Sequence, residues 1–118
     1  MTITLPKSPS VNHLYGVSCR GGFPHWYIGA KGKAWFEEAG YILRLAYRRK
    51  VPYEYDVSLY FKLYTARTSD LDNILKCTQD LLQKSGIIKN DRQIVFIQGE
   101  RIKVKTKDEK IEIEIPEL

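Results

Sequence analysis

Two stretches of the chain alternate apolar and polar residues, which is the two-residue period of a strand with one buried face. Residues 55–64 have apolar side chains at every second position, and residues 110–115 alternate isoleucine with a charged residue. A shorter alternation over residues 2–5 ends at Pro6, which predicts a strand at the edge of a sheet. A fourth strand is expected over residues 94–105, with a bulge at Gly99.

Two other stretches have the 3.6-residue period of an amphipathic helix. The first covers residues 31–49, and its predicted apolar face consists of Trp35, Ala39, Ile42, Leu45 and Ala46. The second covers residues 70–85 and ends at Gly86, because glycine readily adopts the left-handed conformation that follows a helix. Its predicted apolar face consists of Leu71, Ile74, Leu75, Thr78, Leu81 and Leu82.

The order of these elements predicts a single α/β (α+β) domain over residues 1–118. We expect a mixed sheet of about four strands packed with two helices, in which the last two strands pair through a turn at residues 106–109. Residues 7–28 contain several prolines and glycines and are long for a loop. They are therefore either a functional loop or a hairpin that the pattern does not reveal.

Composition narrows the class of protein. With 43% hydrophobic and 28% charged residues, the chain is typical of a globular domain and not of a disordered segment. No stretch is apolar enough to cross a bilayer and the first residues lack the features of a signal peptide, so a cytoplasmic location is expected. Both cysteines, Cys19 and Cys77, are then expected to be reduced. The net charge of +5 favours a polyanionic partner.

Three aspartates stand outside the apolar pattern. Asp70 and Asp72 open the second predicted helix, and Asp91 lies in the turn before the following strand. Such carboxylates can hold one or two Mg²⁺ ions, which activate water and stabilise the leaving oxygen in phosphodiester hydrolysis. Lys76 follows Asp72 by four residues on one helix face, where its charge can stabilise the transition state.

The same residues also have a purely structural interpretation. Ser69 to Asp72 fits a capping box, and the helix dipole favours acidic residues in a first helical turn. Asp91 can be a turn residue, and Asp72 with Lys76 can form an ordinary surface pair. Local chemistry alone leaves both interpretations open.

Longer motifs bear on the choice between a catalytic and a structural role for these residues. The run Asp70-Leu71-Asp72-Asn73-Ile74-Leu75-Lys76, then Gly86 and then Asn90-Asp91-Arg92-Gln93-Ile94, resembles the signature of the RusA family of Holliday junction resolvases. Near the start, Ser8-Pro9-Ser10-Val11-Asn12 resembles a proline-containing motif of that family. The likeness covers nearly the whole chain.

The resemblance implies an endonuclease that resolves Holliday junctions with Mg²⁺, or with Mn²⁺ as a substitute, and needs no organic cofactor. Asp70, Asp72 and Asp91 match the metal-binding aspartates of the family, and Lys76 matches its essential lysine. Asn90 stands where the family often has another aspartate, so the site has one negative charge fewer.

DNA has to be held by basic and polar residues around the acidic cluster. The candidates are basic residues near the aspartates or before the first helix, together with two motif asparagines, namely Arg67, Arg92, Lys31, Lys33, Asn73 and Asn12. Further candidates on one predicted strand face are Lys103, Lys105 and Lys107. From the sequence, a DNA-binding module without catalysis and a nuclease for other branched DNA remain alternatives.

A four-way junction has two-fold symmetry, so a homodimer with two related sites is expected. The direction of the strands decides how Asp91 reaches the other aspartates. If the strands before and after the second helix are parallel, Asp91 lies at the far end of the sheet from Asp70 and a second protomer has to complete the site. If they are antiparallel, one protomer can hold all three. In both cases we expect the dimer interface close to the active sites.

Overall fold

The structure is a computed structural model that describes residues 1–9, 15–20, 23–68 and 71–117, with only the backbone for 15–20 and 23–27. The strands are β1 (Thr2–Pro6), β2 (Tyr15–Arg20), β3 (Phe23–Ile28), β4 (Val57–Thr65), β5 (Ile94–Lys103) and β6 (Lys110–Glu114). The helices are α1 (Ala30–Ala46) and α2 (Leu71–Lys84). No helix within these ranges is long and apolar enough to span a membrane.

The main sheet has four strands in the order β1-β6-β4-β5. β6 runs antiparallel to both β1 and β4, whereas β5 runs parallel to β4. This mixed sheet with two helices confirms the predicted α+β fold class. β2 and β3 form a separate antiparallel hairpin, so residues 7–28 contain the hairpin that the sequence left as an alternative.

Strand β4 is the centre of the hydrophobic core. The side chains of Val57, Leu59, Phe61, Leu63 and Thr65 are all buried, and those between them are half-buried or exposed. The predicted alternation is therefore confirmed, although the strand begins two residues later than expected. The three predicted isoleucines of the last strand are also buried and belong to the same core.

Helix α1 is shorter than predicted, and its apolar face is partly different. It ends at Ala46, and in its last turns Leu43 is buried while Leu45 is 65% exposed. Trp35, Ala39 and Leu43 form a straight stripe of i, i+4 positions, and Leu45 lies about 120° around the helix from Ala39. Ala46 is also exposed, so the assignment of Leu45 and Ala46 to the core was wrong.

Helix α2 agrees with its predicted apolar face. Its buried residues are Ile74, Cys77, Thr78, Leu81 and Leu82, with Leu71 and Leu75 packed at the margin of the core. Burial raises the pKa of the Cys77 thiol to about 11, so this free thiol stays protonated at neutral pH. The side chain of Cys19 lies outside the described residues.

The predicted pairing of the last two strands was wrong. β6 pairs with β1 and β4, and the chain leaves β5 at Lys103 to cross the end of β4 through a short 3₁₀ turn, Thr106–Asp108. β5 is joined to β4 by the crossover helix α2, which makes the two strands parallel neighbours. β6 then takes the remaining side of β4, where its isoleucines are buried.

The predicted bulge at Gly99 was also wrong. The register between β4 and β5 shifts at Val57 and Ser58, near the start of both strands. A β-carbon built at Gly99 would lie 3.5 Å from Leu71 Cδ2, an ordinary van der Waals contact. Gly99 is therefore the point where the first residue of α2 packs on β5.

Gly86 ends α2 as predicted, with a positive φ of 75°. The Ile87 N–H donates to the Leu82 carbonyl at 3.0 Å across this turn. We expect Gly86→Ala to lower the free energy of unfolding by about 1 kcal/mol, because a β-carbon disfavours this backbone conformation. Nothing lies within 4 Å of the new β-carbon, so the loss should be purely conformational. Urea unfolding measures it, and Gly86→Asn should lose less, since asparagine tolerates positive φ.

Candidate active site

The parallel pair β4 and β5 gives the sheet two functionally different edges. We call the end where both strands finish, at Thr65 and Lys103, the carboxyl edge, and the end where they begin, at Val57 and Ile94, the amino edge. The nine residues of β4 separate these edges by about 26 Å. Each predicted site residue can be assigned to one of the two.

Helix α2 starts on the side of the carboxyl edge, where Leu71 packs over Gly99 in the later half of β5, and presents one of the predicted aspartates there. Asp72, Asn73 and Lys76 are exposed on its first two turns, while the opposite face of the helix is buried. The positive end of the helix dipole lies at this terminus and stabilises the negative charge of Asp72. Asp70 immediately precedes the helix in the chain but lies outside the described residues. The carboxyl edge therefore carries Asp72 together with the predicted catalytic lysine.

Asp91 lies at the amino edge, in a 3₁₀ turn (Asp91–Gln93) that directly precedes β5. The Asn90 side chain accepts a hydrogen bond from the Arg92 N–H at 2.9 Å. Gln93 Oε1 accepts from the Asn90 N–H at 3.2 Å, and its Nε2 donates to the Tyr53 carbonyl at 2.7 Å. Both motif side chains thus hold the turn that exposes Asp91. In this chain Asn90 acts as the cap of that turn.

One protomer does not bring Asp72 and Asp91 together. Leu71, next to Asp72, packs over Gly99, whereas Asp91 precedes Ile94, so roughly 16 Å of β5 separates the two positions, and two ligands of one Mg²⁺ each lie about 2 Å from it. Among the residues that the structure describes, no group of three or more acidic, histidine or cysteine side chains could hold a metal ion. Of the two arrangements considered from the sequence, the antiparallel one is excluded.

The predicted DNA-contacting residues also divide between the edges. Arg67 follows β4 at the carboxyl edge and is exposed, and Arg92 is exposed beside Asp91 at the amino edge. Lys31 and Lys33 lie in the first turn of α1 rather than in a loop before it. In the same helix Trp35 Nε1 donates to the carbonyl of Pro6, the last residue of β1, at 2.9 Å. Since β1 also finishes at the carboxyl edge, both lysines lie on that side.

Two further predictions about DNA-contacting residues can be compared with the structure. Asn12 lies outside the described residues. Lys103 ends β5, whereas Lys105 and Lys107 belong to the turn that crosses the end of β4, so the three lysines do not share a strand face as predicted. The strand ends early because the chain has to leave the sheet to reach β6 on the other side of β4.

A cavity of about 270 Å³ opens at the carboxyl edge, between the ends of β4 and β5. Its lining residues are Thr65, Ala66, Arg67, Thr68, Arg101 and Lys103. Arg101 and Lys103 pair in register with Leu63 and Thr65, so both strands contribute to it. Among the lining residues that the structure describes, three are cationic and none is acidic.

A hydrogen-bonded ion pair supports the β4 side of this cavity. Lys7 Nζ lies 2.8 Å from Glu109 Oε2, and that oxygen also accepts from the Thr65 hydroxyl and the Ala66 N–H, both at 3.0 Å. The Lys7 ammonium donates to Thr65 Oγ1 at 3.0 Å as well. The hydrogen bonds from Lys7 and Ala66 hold the pKa of Glu109 at about 2, well below its usual value. The network fixes the start of the segment that leads to Asp70.

Glu109 should make the stability of the protein dependent on acid pH. Its folded-state pKa is lowered, so its stabilising contribution is present above pH 4.5 and is lost as the pH falls towards 2. We expect Glu109→Gln to lower the free energy of unfolding by about 2 kcal/mol at pH 7, allowing for the partial exposure of the pair. The difference from wild type should close between pH 4.5 and about 2 in urea titrations. The exposed Glu114→Gln serves as control, and a pH-independent difference for Glu109→Gln would contradict this account.

Three residues of this region were not singled out from the sequence. Arg101 lies within a strand and has the pattern of a solvated surface charge until the topology brings it beside Arg67. Glu109 and Lys7 are 102 residues apart, and no local pattern connects them. None of the three has a short-range signal, because their contacts arise only from the order of the strands.

A family model described as endodeoxyribonuclease RusA matches residues 6–116 of the 118-residue chain. No curated protein sequence matches it. The match spans both edges of the sheet, including the helix that carries Asp72 and Lys76 and the turn that carries Asp91. The chain therefore belongs to the RusA family of endodeoxyribonucleases, enzymes that hydrolyse DNA phosphodiester bonds and resolve Holliday junctions.

Proposed function

We propose that this protein resolves four-way DNA junctions by paired symmetric nicks that depend on Mg²⁺. The observation that carries the proposal is the exposed pair Asp72 and Lys76, one helical turn apart at the carboxyl edge and directly after Asp70 in the chain. Family membership supports the reaction, because endodeoxyribonucleases hydrolyse the DNA backbone. It argues against a DNA-binding module without catalysis.

Asp70 and Asp72 are the ligands that this chain would offer to Mg²⁺. Carboxylate oxygens are the hard ligands that Mg²⁺ prefers, and the exposed position of Asp72 leaves room for the waters that the ion retains. When bound, the ion activates water and stabilises the leaving oxygen, and Mn²⁺ accepts the same ligands. Lys76 would stabilise the negative charge that grows on the phosphate in the transition state.

A second copy of the chain would supply Asp91. We infer that two copies pair antiparallel through β5, one of the two edge strands of the main sheet in the described part of the chain. Antiparallel pairing sets the start of one β5 against the end of the other, so Asp91 of each copy approaches the carboxyl edge of the second copy. Adjacent strands lie about 4.8 Å apart, so this pairing would place the turn that carries Asp91 of one copy beside the later half of β5 in the other.

The surface of β5 supports this pairing. Its side chains are exposed or half-buried along the whole strand, and Val95, Phe96 and Ile97 are 63%, 48% and 40% exposed. An exposed apolar segment on an edge strand is a template for another strand and is rarely left open to water. The homodimer would then have two identical sites related by the two-fold axis, as paired nicks in a symmetric junction require.

The experiment that tests this function is a substrate panel. The purified protein is incubated with a four-way junction, a flap, a duplex and a single strand, each with Mg²⁺, Mn²⁺, Ca²⁺ or EDTA. We expect cleavage of the four-way junction with Mg²⁺ or Mn²⁺ and none in EDTA. Equal cutting of all substrates would show instead a nuclease for branched DNA in general, and cutting in EDTA would refute the metal dependence.

Paired nicking has its own readout. A supercoiled plasmid that extrudes a cruciform gives linear DNA when both strands are cut within one binding event, and nicked circles when one strand is cut. We expect linear product from the first time points. A product that remains nicked circles throughout would contradict paired action.

The cytoplasmic location stays a prediction.

A further inference from the structure

We propose that the cavity at the carboxyl edge binds a backbone phosphate of the DNA strand that is cut, next to the phosphate that reacts, through Arg67, Arg101 and Lys103. This inference rests on the proposed function and adds a binding site to it. The cavity is formed by the residues after β4 and by the end of β5. It lies where the chain passes from β4 towards Asp70 and α2.

The size and chemistry of the cavity fit a phosphodiester group. Its 270 Å³ would hold roughly nine water molecules at about 30 Å³ each, which is enough for a phosphate and part of its sugar. Two of its lining residues are arginines, whose planar guanidinium groups match phosphate oxygens in pairs, and one is a lysine. Thr65 and Thr68 add hydroxyl groups to the wall.

The charge of the cavity calls for an anion. Arg67 and Lys103 place two cationic side chains around one small volume, where they repel each other unless a counter-ion lies between them. Within the described residues, neither the Arg67 guanidinium nor the Lys103 ammonium forms an ion pair with a carboxylate. The nearby carboxylate of Glu109 is already engaged by Lys7, Thr65 and Ala66. A DNA phosphate is the anion that the proposed substrate offers at this edge.

The position of the cavity in the fold supports the same ligand. It lies at the carboxyl ends of two parallel strands, the general location of ligand crevices in sheets of this kind. Leu71, the first residue of α2, packs over Gly99, and Arg101 lies about 7 Å further along β5. A strand bound in the cavity would therefore continue past the start of α2, where Asp72 lies.

The binding side of the test compares Arg101→Gln and Lys103→Gln with Lys62→Gln. Lys62 is exposed in the middle of β4, pairs in register with Glu100 and does not line the cavity, so its variant removes the same charge elsewhere. Binding of a four-way junction is measured in EDTA over a range of salt concentrations. We expect the cavity variants to raise Kd about tenfold and to lower the slope of log K against log salt by about 1, as for one lost phosphate contact. Lys62→Gln should keep the slope, and Arg101→Lys should restore it.

The cleavage side of the test separates this site from the reacting phosphate. In single-turnover cleavage with Mg²⁺, Arg101→Gln should raise the enzyme concentration that gives half of the maximal rate about tenfold, because the phosphate contact is made before reaction, whereas Lys62→Gln should leave that concentration unchanged. A fall in the maximal rate larger than this rise would overturn the assignment to a neighbouring phosphate. Sedimentation velocity confirms that each variant has the oligomeric state of the wild type.

Two outcomes keep this inference apart from the proposed function. If wild type cleaves junctions and both cavity variants behave like Lys62→Gln, the phosphate site is refuted and the nuclease stands. If wild type cleaves no substrate, while the cavity variants lower the slope of log K against log salt by about 1, the phosphate site stands and the nuclease is refuted. A failure of Arg101→Lys to restore the slope also counts against a phosphate contact.

Discussion

A mixed dimer of Asp72→Asn and Asp91→Asn chains is expected to nick a four-way junction, although neither variant does so as a homodimer. In the proposed arrangement, each site combines Asp72 of one copy with Asp91 of the other. The mixed dimer then has one site with both aspartates intact and one site with both replaced. We expect about half of the wild-type nicking rate from the purified mixed dimer.

The physical reason is the parallel order of β4 and β5. Asp72 and Asp91 are at opposite edges of the same sheet, so a single chain has no means of bringing their carboxylates to one ion. If each chain held a complete site of its own, both sites of the mixed dimer would lack one aspartate and the preparation would be inactive. Inactivity would therefore exclude a shared site.

Two controls make this experiment decisive. Co-expression with two different affinity tags, followed by purification on both, isolates the mixed dimer from the homodimers. A dimer of wild type with the double variant Asp72→Asn/Asp91→Asn should be inactive if the sites are shared, because each site then lacks one aspartate. The same dimer would keep one working site if each chain held its own. The active mixed dimer should also give nicked circles and no linear plasmid.

Replacing Asp72 by asparagine is expected to abolish cleavage while binding of the junction is retained. Loss of one metal ligand and its charge should lower the cleavage rate roughly 10³-fold or more, since the ion contributes several kcal/mol to the transition state. In EDTA the affinity for the junction should stay equal or rise, because a carboxylate that repels phosphates has been removed.

The structural interpretation of Asp72 predicts a different pattern. As a residue of the first turn of α2, Asp72 contributes to helix stability through the dipole, about 0.3–1 kcal/mol. Asp72→Asn should therefore lower the free energy of unfolding by less than about 1 kcal/mol and leave the fold intact. Asp80→Asn, on the same helix but in its later half, is the matched control. If Asp72→Asn cleaved as fast as Asp80→Asn, Asp72 would have only a structural role.

Much of the fold could be predicted from local pattern. The burial of β4 and β6 follows from strict alternation, and the core face of α2 follows from its helical period, because these periods depend only on residues a few positions apart. Gly86 could be identified as the end of α2 because glycine alone adopts a positive φ without cost. The predicted face of α1 was wrong at Leu45 and Ala46, in the last turn of the helix.

The components of the site could also be recognised in the sequence, but their distances could not. The run from Asp70 to Lys76 and the turn around Asp91 carry the family resemblance, and the family match agrees with it. The structural roles of Asn90 and Gln93 became visible only with the hydrogen bonds of the turn, one of which reaches Tyr53. A motif defines which residues are present, whereas a hydrogen bond depends on where they lie.

By itself the sequence determined the type of each main element, the α+β class and the family, because each of these follows from short-range periods and motifs. Only the tertiary structure decided that β5 runs parallel to β4 and that β6 lies on the other side. Strand order depends on contacts between residues far apart in the chain, which leave no local pattern. That order separates Asp72 from Asp91 and brings Arg67, Arg101 and Lys103 around one cavity. It therefore underlies both the proposed dimer and the proposed phosphate site.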